Sequence, residues 1–469
     1  MNIEKKRILI LLASLCAGFA ILIVYLSYFQ IFRADIVKQN PYNKRLWINE
    51  DKVLRGSIVD RDGSILAYSE LSEGIAVRKY KYDRLYSHVI GYSLKEYGKS
   101  GLEKSYNSYL VGSNENTSVD ELINLINPTG VGNNLKLTID HSLQAKCREL
   151  LNGKKGSIVA MDPKTGEILA MVSMPDFNVN TLIQEWSAVS ENTDSPLFNR
   201  ATQGLYPPGS IFKIITALAV IRDSGQDNLF NCSGTVIIDG KEFSDFDKKG
   251  HGELNLAEAF AKSCNTYFSS KALDIGNFNL LDISEDLGFN MRLEIGLEAS
   301  TSIYPKDSKG DTDLAASGIG QGRILATPLG ILTAVSGVAN DGIMLSPYLV
   351  SEITTTDGKL IRKQAITELN KLGTMEEIKE LKDIMREVVK TGTGRNASIK
   401  NVAVAGKTGT AENPSGKNHA WFTGFAPYED PKIAVVVILE EEGSSGGSSA
   451  APIARDIMIH ALNNVSFNR

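Results

Sequence analysis

The chain opens with an uninterrupted run of apolar positions. Residues 8–32 carry no charged side chain over 25 positions, which is long enough to cross a hydrocarbon core of about 30 Å as a helix. The basic residues 5–7 precede this run, so the positive-inside rule places residues 1–7 in the cytoplasm and the chain after Arg33 outside the membrane. The run is too long for a signal-peptide core, and no small-residue cleavage site follows it. We therefore predict a retained single-pass transmembrane anchor over residues 8–32.

Residues 33–134 have a mixed and mostly polar pattern. Two short alternating stretches flank Asp62 and Gly63, a pair that is typical of a tight hairpin turn. Residues 101–110 have the spacing of a short amphipathic helix. We predict a small α+β pedestal domain over 33–134, for which the sequence indicates no function of its own.

Residues 135–469 show strand patterns first, helical patterns in the middle, and strands followed by a helix at the end. A hairpin is predicted around residues 163–166, and a helical pattern covers residues 254–273. The apolar strand at 432–442 precedes a Gly/Ser-rich loop and an amphipathic helix that starts at Pro452. This order predicts an α+β domain, with one antiparallel sheet and helices packed around it.

The composition argues against several kinds of partner and of site. The 469 residues carry a net charge of -5 and are 42% hydrophobic, which is globular composition and gives no support to a nucleic-acid partner. The four cysteines include no C-x-x-C pair, and the five histidines form no H-E-x-x-H motif. Neither a disulfide framework nor a zinc site follows from this spacing, so we predict no metal and no cofactor.

The most informative short stretch is YPPGSIFKIITALA, residues 206–219. Ser210 is a favoured N-cap residue for a buried helix, which is the simpler interpretation. Lys213 lies one helical turn after it, and a serine needs a neighbouring base of this kind to act as a nucleophile. A protonated lysine cannot accept a proton, so the catalytic interpretation requires that Lys213 is buried and that a second cation lies nearby.

A second motif, S-x-N, offers a partner for this pair. It begins at residues 105, 190, 263 and 466. Only Ser263 with Asn265 lies at mid-chain within a helical pattern, where a hydroxyl and an amide two residues apart can line one lip of a cleft. The alternative is a helix-end cap, with Cys264 buried between them as a small apolar residue.

A third motif, K-T-G, offers the second cation. It begins at residues 164, 390 and 407. Polar turn residues explain the first occurrence, and the end of a helix explains the second. Lys407 lies on an alternating strand followed by two more strand patterns, so we choose it as the second cation, on a strand edge that a peptide substrate can extend.

In combination, these motifs resemble the class B penicillin-binding proteins, which are membrane-anchored transpeptidases of peptidoglycan synthesis. The resemblance covers nearly everything from Arg55 onward, in the family's order, and that order selects the same S-x-N and K-T-G motifs. Its other stretches are RGSIVDRDGSILA (55–67), GLE (101–103), LTID (137–140), GSIVAMDPKTGEILAMVSMPDFN (156–178), GIGQGRILATPLGILTAVSGVANDGIMLSPYLV (318–350) and VVKTGTG (388–394).

The resemblance implies the penicillin-recognising transpeptidase fold and a role for each motif residue. Ser210 attacks the D-alanyl-D-alanine carbonyl of a stem peptide, Lys213 is the base, and Ser263 passes the proton to the leaving amine. Asn265 holds the substrate amide and Lys213, while Lys407 keeps the site positive. The amine of a second stem peptide then takes the acyl group, which gives a cross-link.

The resemblance also implies how substrate and inhibitor bind. Thr408, Gly409 and Thr410 form the substrate-binding strand, and the two threonines bind the carboxylate of the substrate or of a β-lactam. Backbone N–H groups of Ser210 and Thr410 form the oxyanion hole. β-Lactams are expected to acylate Ser210 and to remain attached, because no deacylating glutamate is recognised.

Several interpretations of the partners and the reaction stay open. Glycan polymerisation is expected from another protein, typically a multispanning membrane glycosyltransferase, because no such domain is recognised here. A D,D-carboxypeptidase or a β-lactamase shares the acylation chemistry, with water as the acceptor. A catalytically silent scaffold or a β-lactam sensor is the alternative outside enzymes. Division, elongation and sporulation all use enzymes of this family, and the sequence does not choose among them.

Overall fold

The computed structural model describes residues 3–33, 53–112, 130–223, 229–413 and 415–467. Helix α1 (Ile3–Phe32) confirms the predicted helical anchor. Within the described residues, Lys5–Phe32 is the one helix long and apolar enough to cross a membrane. Its side chains from Lys5 onward are exposed, which suits a helix surrounded by lipid better than one surrounded by water.

The N-terminal region is built from short elements. Its strands are β1 (Ile58–Val59), β2 (Ile65–Ser72), β3 (Ile75–Tyr80), β4 (Ser93–Leu94), β5 (Gly98–Lys99) and β6 (Asn134–Leu137). Its helices are α2 (Ser87–Ile90), α3 (Gly101–Ser105) and α4 (Asn107–Leu110). The hairpin predicted at Asp62 and Gly63 is confirmed, since β1 and β2 pair antiparallel around it. The prediction of a single helix over 101–110 is wrong in one detail, because two short helices, α3 and α4, lie on either side of Tyr106.

A buried ion cluster ties this region together. The Glu103 carboxylate accepts hydrogen bonds from Arg55 Nη2 at 2.6 Å and from Arg78 Nε at 2.7 Å. All three side chains are almost completely buried. Burial alone would raise the pKa of Glu103, but the two guanidinium groups more than offset this and hold it below its ordinary value. The cluster joins the segment after the anchor to β3 and α3.

The larger part of the chain contains nine further helices among the described residues. They are α5 (His141–Leu150), α6 (Leu182–Ser190), α7 (Lys213–Asp223), α8 (Leu256–Lys262), α9 (Asn265–Asp286), α10 (Asp311–Gly318), α11 (Pro328–Ala339), α12 (Met375–Lys390) and α13 (Ala450–Asn464). The strands are β7 (Gly156–Met161), β8 (Ile168–Met174), β9 (Phe230–Cys232), β10 (Thr235–Ile238), β11 (Lys241–Ser244), β12 (Gly252–Leu254), β13 (Ile343–Leu345), β14 (Val350–Thr354), β15 (Leu360–Lys363), β16 (Glu368–Lys371), β17 (Ala405–Ala411), β18 (His419–Ala426) and β19 (Ile433–Leu439).

The central sheet has five antiparallel strands in the order β17-β18-β19-β7-β8, which confirms the predicted architecture. Strand β19 shows how it is covered on both faces. Ala434, Val436 and Ile438 belong to one hydrophobic core, and Val435 and Val437 belong to the other. Side chains alternate across a strand, and β19 contacts both α11 and α13. Strand β17 is therefore left at the edge of a sheet that is packed on both sides.

A second sheet crosses the predicted border between the two domains. Its order is β15-β14-β6-β1-β2-β3. Strand β6 pairs parallel with β1, and β14 pairs antiparallel with β6. The sheet thus combines strands that precede residue 134 with strands from the second half of the chain.

The helix predicted over residues 254–273 is wrong as one element, since it consists of α8 and the start of α9. Ser263 between them adopts the left-handed conformation, with φ 58° and ψ 42°. Cys264 caps α9, because its sulfur accepts a hydrogen bond from the Tyr267 N–H. A non-glycine residue in this region is strained by about 1–3 kcal/mol, a cost that often occurs at functional sites.

Candidate active site

Ser210 lies in a short 3-10 turn, Gly209–Phe212, directly before α7. Ser210 is not an N-cap residue, because it lies inside the 3-10 turn that leads into α7, and the cap position of that turn is Pro208. Gly209 has φ 53°, and a Cβ atom at this residue would lie 2.7 Å from the Thr410 carbonyl oxygen. Glycine is therefore required for the turn to pack backbone against backbone on β17, which brings Ser210 to the sheet edge.

Lys213 is completely buried at the start of α7. Its Nζ donates hydrogen bonds to Asn265 Oδ1 at 2.6 Å, to the Ser263 carbonyl oxygen at 2.7 Å and to Ser263 Oγ at 3.3 Å. Burial lowers the pKa of Lys213 to about 7, against the opposing influence of Cys264 and Asp245. An amine with this pKa is partly neutral near physiological pH, as a general base must be.

Lys407 is also completely buried and lies on β17. Its Nζ donates to Ser263 Oγ at 2.9 Å and to the Thr408 carbonyl oxygen at 3.1 Å. Burial, and then the positive charge of Lys213, lower the pKa of Lys407 well below its ordinary value. Two ammonium groups that share one hydroxyl repel each other, so we expect the pair to carry fewer than two positive charges.

Asn265 is oriented by groups on both sides of its side chain. Its Oδ1 accepts from Lys213, and its Nδ2 donates to the Ser244 carbonyl oxygen at 2.9 Å. Its backbone N–H donates to Asp245 Oδ1 at 2.5 Å. Asp245 therefore positions Asn265, although it belongs to none of the three sequence motifs.

Two loops contact the substrate-binding residues predicted on β17. Thr408 Oγ1 lies 2.6 Å from Thr393 Oγ1, and Thr410 Oγ1 accepts from the Gly446 N–H at 3.4 Å. A Cβ atom on Gly409 would lie 3.1 Å from the Pro208 carbonyl oxygen. Thr393 was missed as a site residue, although it lies within the stretch VVKTGTG that contributes to the family resemblance.

The other two K-T-G motifs lie where the simpler interpretation placed them. Lys164 to Gly166 form the turn between β7 and β8, and Lys390 ends α12. The structure thus brings Ser210, Lys213, Ser263, Asn265 and Lys407 to one sheet edge and leaves the other two K-T-G motifs outside it.

The expectation that no metal site is present overlooked one cluster. Cys232, Asp245, His251 and Cys264 offer donor atoms that all lie within 4.8 Å of one another. Cys264 is the middle residue of the S-x-N motif and immediately precedes Asn265, so the cluster is adjacent to Asn265. The donors are 13, 6 and 13 residues apart in sequence, a spacing that matches no short zinc motif. These four side chains could hold a divalent metal ion.

Two parts of the chain match the sequence models of known protein families. Residues 156–459 match the penicillin binding protein transpeptidase domain. The chain belongs to the class B penicillin-binding proteins. Residues 55–134 match the penicillin binding protein A dimerisation domain, so a region before the transpeptidase domain of this penicillin-binding protein also has a counterpart in the family.

Curated relatives agree with this assignment. Peptidoglycan D,D-transpeptidase PbpA of Mycolicibacterium smegmatis is 31% identical over 93% of this chain and 93% of the relative. Peptidoglycan D,D-transpeptidase MrdA of Acinetobacter baumannii is 34% identical over 76% of this chain. The alignment covers 62% of that longer relative.

Solved structures agree as well. The imipenem acyl-enzyme of penicillin-binding protein A from M. tuberculosis is 29% identical and has a TM-score of 0.82 over 88% of this chain and 100% of that one. The D,D-transpeptidase domain of a peptidoglycan glycosyltransferase from Eggerthella lenta is 33% identical, with a TM-score of 0.79 over 88% of this chain and 99% of that one. The predicted fold class is confirmed.

Proposed function

We propose that this penicillin-binding protein is a membrane-anchored peptidoglycan D,D-transpeptidase with Ser210 as its nucleophile. The observation that carries the proposal is the position of two buried lysines, Lys213 and Lys407, on the hydroxyl of Ser263. Burying two amines costs free energy, and a structural role alone does not explain why both contact one hydroxyl. A proton-transfer chain that starts beside Ser210 explains this arrangement.

The acylation step uses these groups in order. Ser210 Oγ attacks the carbonyl carbon of the penultimate D-alanine, and its proton passes to neutral Lys213. The C–N bond then breaks, and the proton moves through the Ser263 hydroxyl to the nitrogen of the leaving D-alanine. Lys407 donates to the same hydroxyl and keeps a positive charge near the developing negative charge.

Substrate binding uses the edge of the central sheet. A stem peptide lies along β17 as an additional strand, with its terminal carboxylate on the hydroxyls of Thr408 and Thr410. The backbone N–H groups of Ser210 and Thr410 bind the oxyanion of the tetrahedral intermediate. Asn265 holds the substrate amide. The amine of a second stem peptide attacks the ester carbonyl, which releases Ser210 and leaves a cross-link.

The N-terminal helix indicates how the chain is oriented relative to the membrane. We propose that residues 1–7 are cytoplasmic and that residues 8–32 span the membrane. The pedestal, residues 33–134, then lies between the membrane and the transpeptidase domain, residues 135–469, outside the cell. A multispanning membrane glycosyltransferase supplies the glycan strands. Cysteine labelling of the ends of the full chain in right-side-out vesicles tests this orientation.

A peptide-exchange assay distinguishes this function from its relatives. The full chain in detergent is incubated with a pentapeptide that ends in D-Ala-D-Ala and with a fluorescent D-amino acid. A transpeptidase forms the exchanged peptide, whereas a D,D-carboxypeptidase yields only the hydrolysed tetrapeptide. Repeated turnover of penicillin indicates a β-lactamase, and a folded chain with no product indicates a scaffold or sensor. Ser210→Ala is expected to abolish exchange, and Ser190→Ala, in an exposed S-x-N motif, is the matched control.

A further inference from the structure

A cavity of about 450 Å³ lies where the pedestal contacts the transpeptidase domain. We propose that it binds an N-acetylated amino-sugar strand, the glycan of peptidoglycan, and that Ser87 recognises an acetamido group of this strand. The identity of the ligand rests on the function proposed above. The pedestal contributes lining residues between 87 and 105, and the transpeptidase domain contributes others between 177 and 203 and at 297–298. The volume is within the usual range of ligand pockets, about 300–1,000 Å³.

Hydrogen bonds between the two regions hold the walls of this cavity together. The His88 ring nitrogen Nε2 lies 2.8 Å from the Pro196 carbonyl oxygen, and Asn199 Nδ2 donates to the His88 carbonyl oxygen at 3.3 Å. Lys104 of the pedestal pairs with Glu298 of the transpeptidase domain at 2.5 Å, and both of these side chains are exposed. A ligand in the cavity therefore contacts both regions at once.

Ser87 is the lining residue that points to a ligand. Its side chain is 2% exposed, and its Oγ has no hydrogen-bond partner within the described part of the protein. A buried hydroxyl without a partner costs free energy, and a ligand that hydrogen-bonds to it removes that cost. The carbonyl oxygen of an acetamido group accepts such a bond. Its methyl group suits the aliphatic side chains of Leu197 and Leu297, which also line the cavity.

Aromatic rings supply the second feature of a sugar site. Tyr92, Phe177 and Phe198 line the cavity, and the rings of Tyr92 and Phe177 pack edge to face with centroids 6.1 Å apart. The C–H bonds on one face of a pyranose pack favourably on the electron-rich face of an aromatic ring. The amide groups of Asn199 and Gln203, also in the lining, are suitable hydrogen-bond partners for sugar hydroxyls.

The charges of the lining favour an uncharged polar ligand over a polyanion. Its charged side chains are Lys99, Lys104 and Glu298, which is two cations against one anion. Burial lowers the pKa of His88 to about 4, so its ring is neutral at physiological pH. None of the described residues that line the cavity is an arginine, the residue best suited to bind phosphate groups. An N-acetylated glycan carries no charge and fits this lining better than a nucleotide does.

Calorimetric titration of the full chain in detergent is the first test. N-Acetylated chitotetraose is expected to bind saturably, with one tetrasaccharide per chain. Cellotetraose, which has the same sugar backbone without acetamido groups, is expected to bind severalfold more weakly, because it leaves the Ser87 hydroxyl without its acceptor. Sodium pyrophosphate is expected not to compete. A folded chain that binds no chitotetraose, or from which pyrophosphate displaces it, overturns the glycan assignment.

Ser87→Ala is the decisive variant. The Ser87 hydroxyl has no hydrogen bond within the described structure, so its removal is expected to leave the fold intact. Affinity for chitotetraose is expected to fall about fivefold, and the preference over cellotetraose is expected to disappear. Ser336→Ala is the matched control, because Ser336 is also buried and without a partner but lies on α11, outside the cavity. Equal effects of the two substitutions, or a preference that survives in Ser87→Ala, contradict the role of Ser87.

Phe198→Leu tests the aromatic wall. Leucine keeps an apolar side chain at this position but removes the ring, and affinity for chitotetraose is expected to fall about fivefold. Phe278→Leu is the control, because Phe278 is 80% exposed and lies on α9, outside the cavity. Unchanged affinity in Phe198→Leu contradicts stacking of a sugar on this ring.

Hydrogen exchange measured by mass spectrometry locates the ligand. Chitotetraose is expected to protect peptides from 87–105 and 195–203. Protection of 206–213 and 405–411 instead would place the glycan in the candidate active site and overturn the proposal. Neither measurement uses enzyme activity. A chain that binds glycan in the cavity but takes no penicillin refutes only the transpeptidase function, and a chain that penicillin acylates but that binds no glycan refutes only the glycan site.

Discussion

Lys213 and Lys407 share one hydrogen-bond partner, the hydroxyl of Ser263, at 3.3 Å and 2.9 Å. The two lysines come from α7 and β17, which lie almost two hundred residues apart in sequence. Both amines are buried, and two positive charges this close together repel each other, which disfavours the state in which both are protonated. The relationship explains how one of them can be a base at neutral pH while the other supplies positive charge.

The first prediction concerns the pH dependence of acylation. Because the pKa of Lys213 is lowered to about 7, its base form is lost as the pH falls below that value. The acylation rate is expected to rise with pH to a plateau above about pH 7 and to be about a hundredfold lower at pH 5. Stopped-flow fluorescence with a penicillin reporter measures this profile. A rate that stays constant between pH 5 and pH 8 contradicts the role of Lys213.

The second prediction uses the repeated K-T-G motif as its own control. Lys407→Ala is expected to lower the acylation rate by about a hundredfold, because the positive charge beside the oxyanion is lost. It is also expected to move the midpoint of the pH profile upward, since removal of a neighbouring cation raises the pKa of Lys213. Lys390→Ala removes an exposed lysine paired with Glu387 and is expected to change neither quantity. Similar effects of the two substitutions would refute the assignment of Lys407.

The third prediction tests the contact between the nucleophile turn and β17. Gly209→Ala introduces a Cβ atom 2.7 Å from the Thr410 carbonyl oxygen, so Ser210 must move relative to the strand. Displacements of this kind cost about a hundredfold in rate. Gly153→Ala is the matched control, because Gly153 also has a positive φ, 75°, but no atom within 4 Å of the added Cβ. Normal labelling of Gly209→Ala would show that the turn tolerates displacement.

The fourth prediction concerns the stability of the pedestal. Glu103→Gln removes the buried carboxylate that Arg55 and Arg78 share and is expected to cost about 3–5 kcal/mol of unfolding free energy. The exposed pair Lys79–Glu70 provides the control, since Glu70→Gln is expected to cost less than about 1 kcal/mol. Denaturant unfolding of the full chain in detergent measures both. Equal losses would mean that the buried cluster stabilises the fold no more than an exposed ion pair does.

Local patterns predicted much of the fold. The anchor, the hairpins and the apolar strand β19 follow from local periodicity, and the antiparallel sheet follows from their order. The break at Ser263 could not be predicted this way, because the residues around it form one continuous helical pattern. Its cause is tertiary: Ser263 and Asn265 are fixed by hydrogen bonds to Lys213 and Lys407.

The candidate site was predictable where its motifs are short and was missed where its contacts span the chain. Ser210 and Lys213 are neighbours by helical spacing, so sequence alone proposes the pair. Asp245 was missed, because its link to Asn265 forms only when β11 packs beside α9. The cysteine cluster was missed for the same reason, since its four donors lie on separate elements.

The most direct test of the central claim locates the acylated residue. The full chain is reacted with penicillin, digested, and mapped by mass spectrometry, beside Ser210→Ala and Ser190→Ala. We predict one stable penicilloyl adduct on the peptide that contains Ser210, present in Ser190→Ala and absent in Ser210→Ala. An adduct that persists in Ser210→Ala, or a folded wild-type chain that takes no penicillin, would contradict the assignment of Ser210 as the nucleophile.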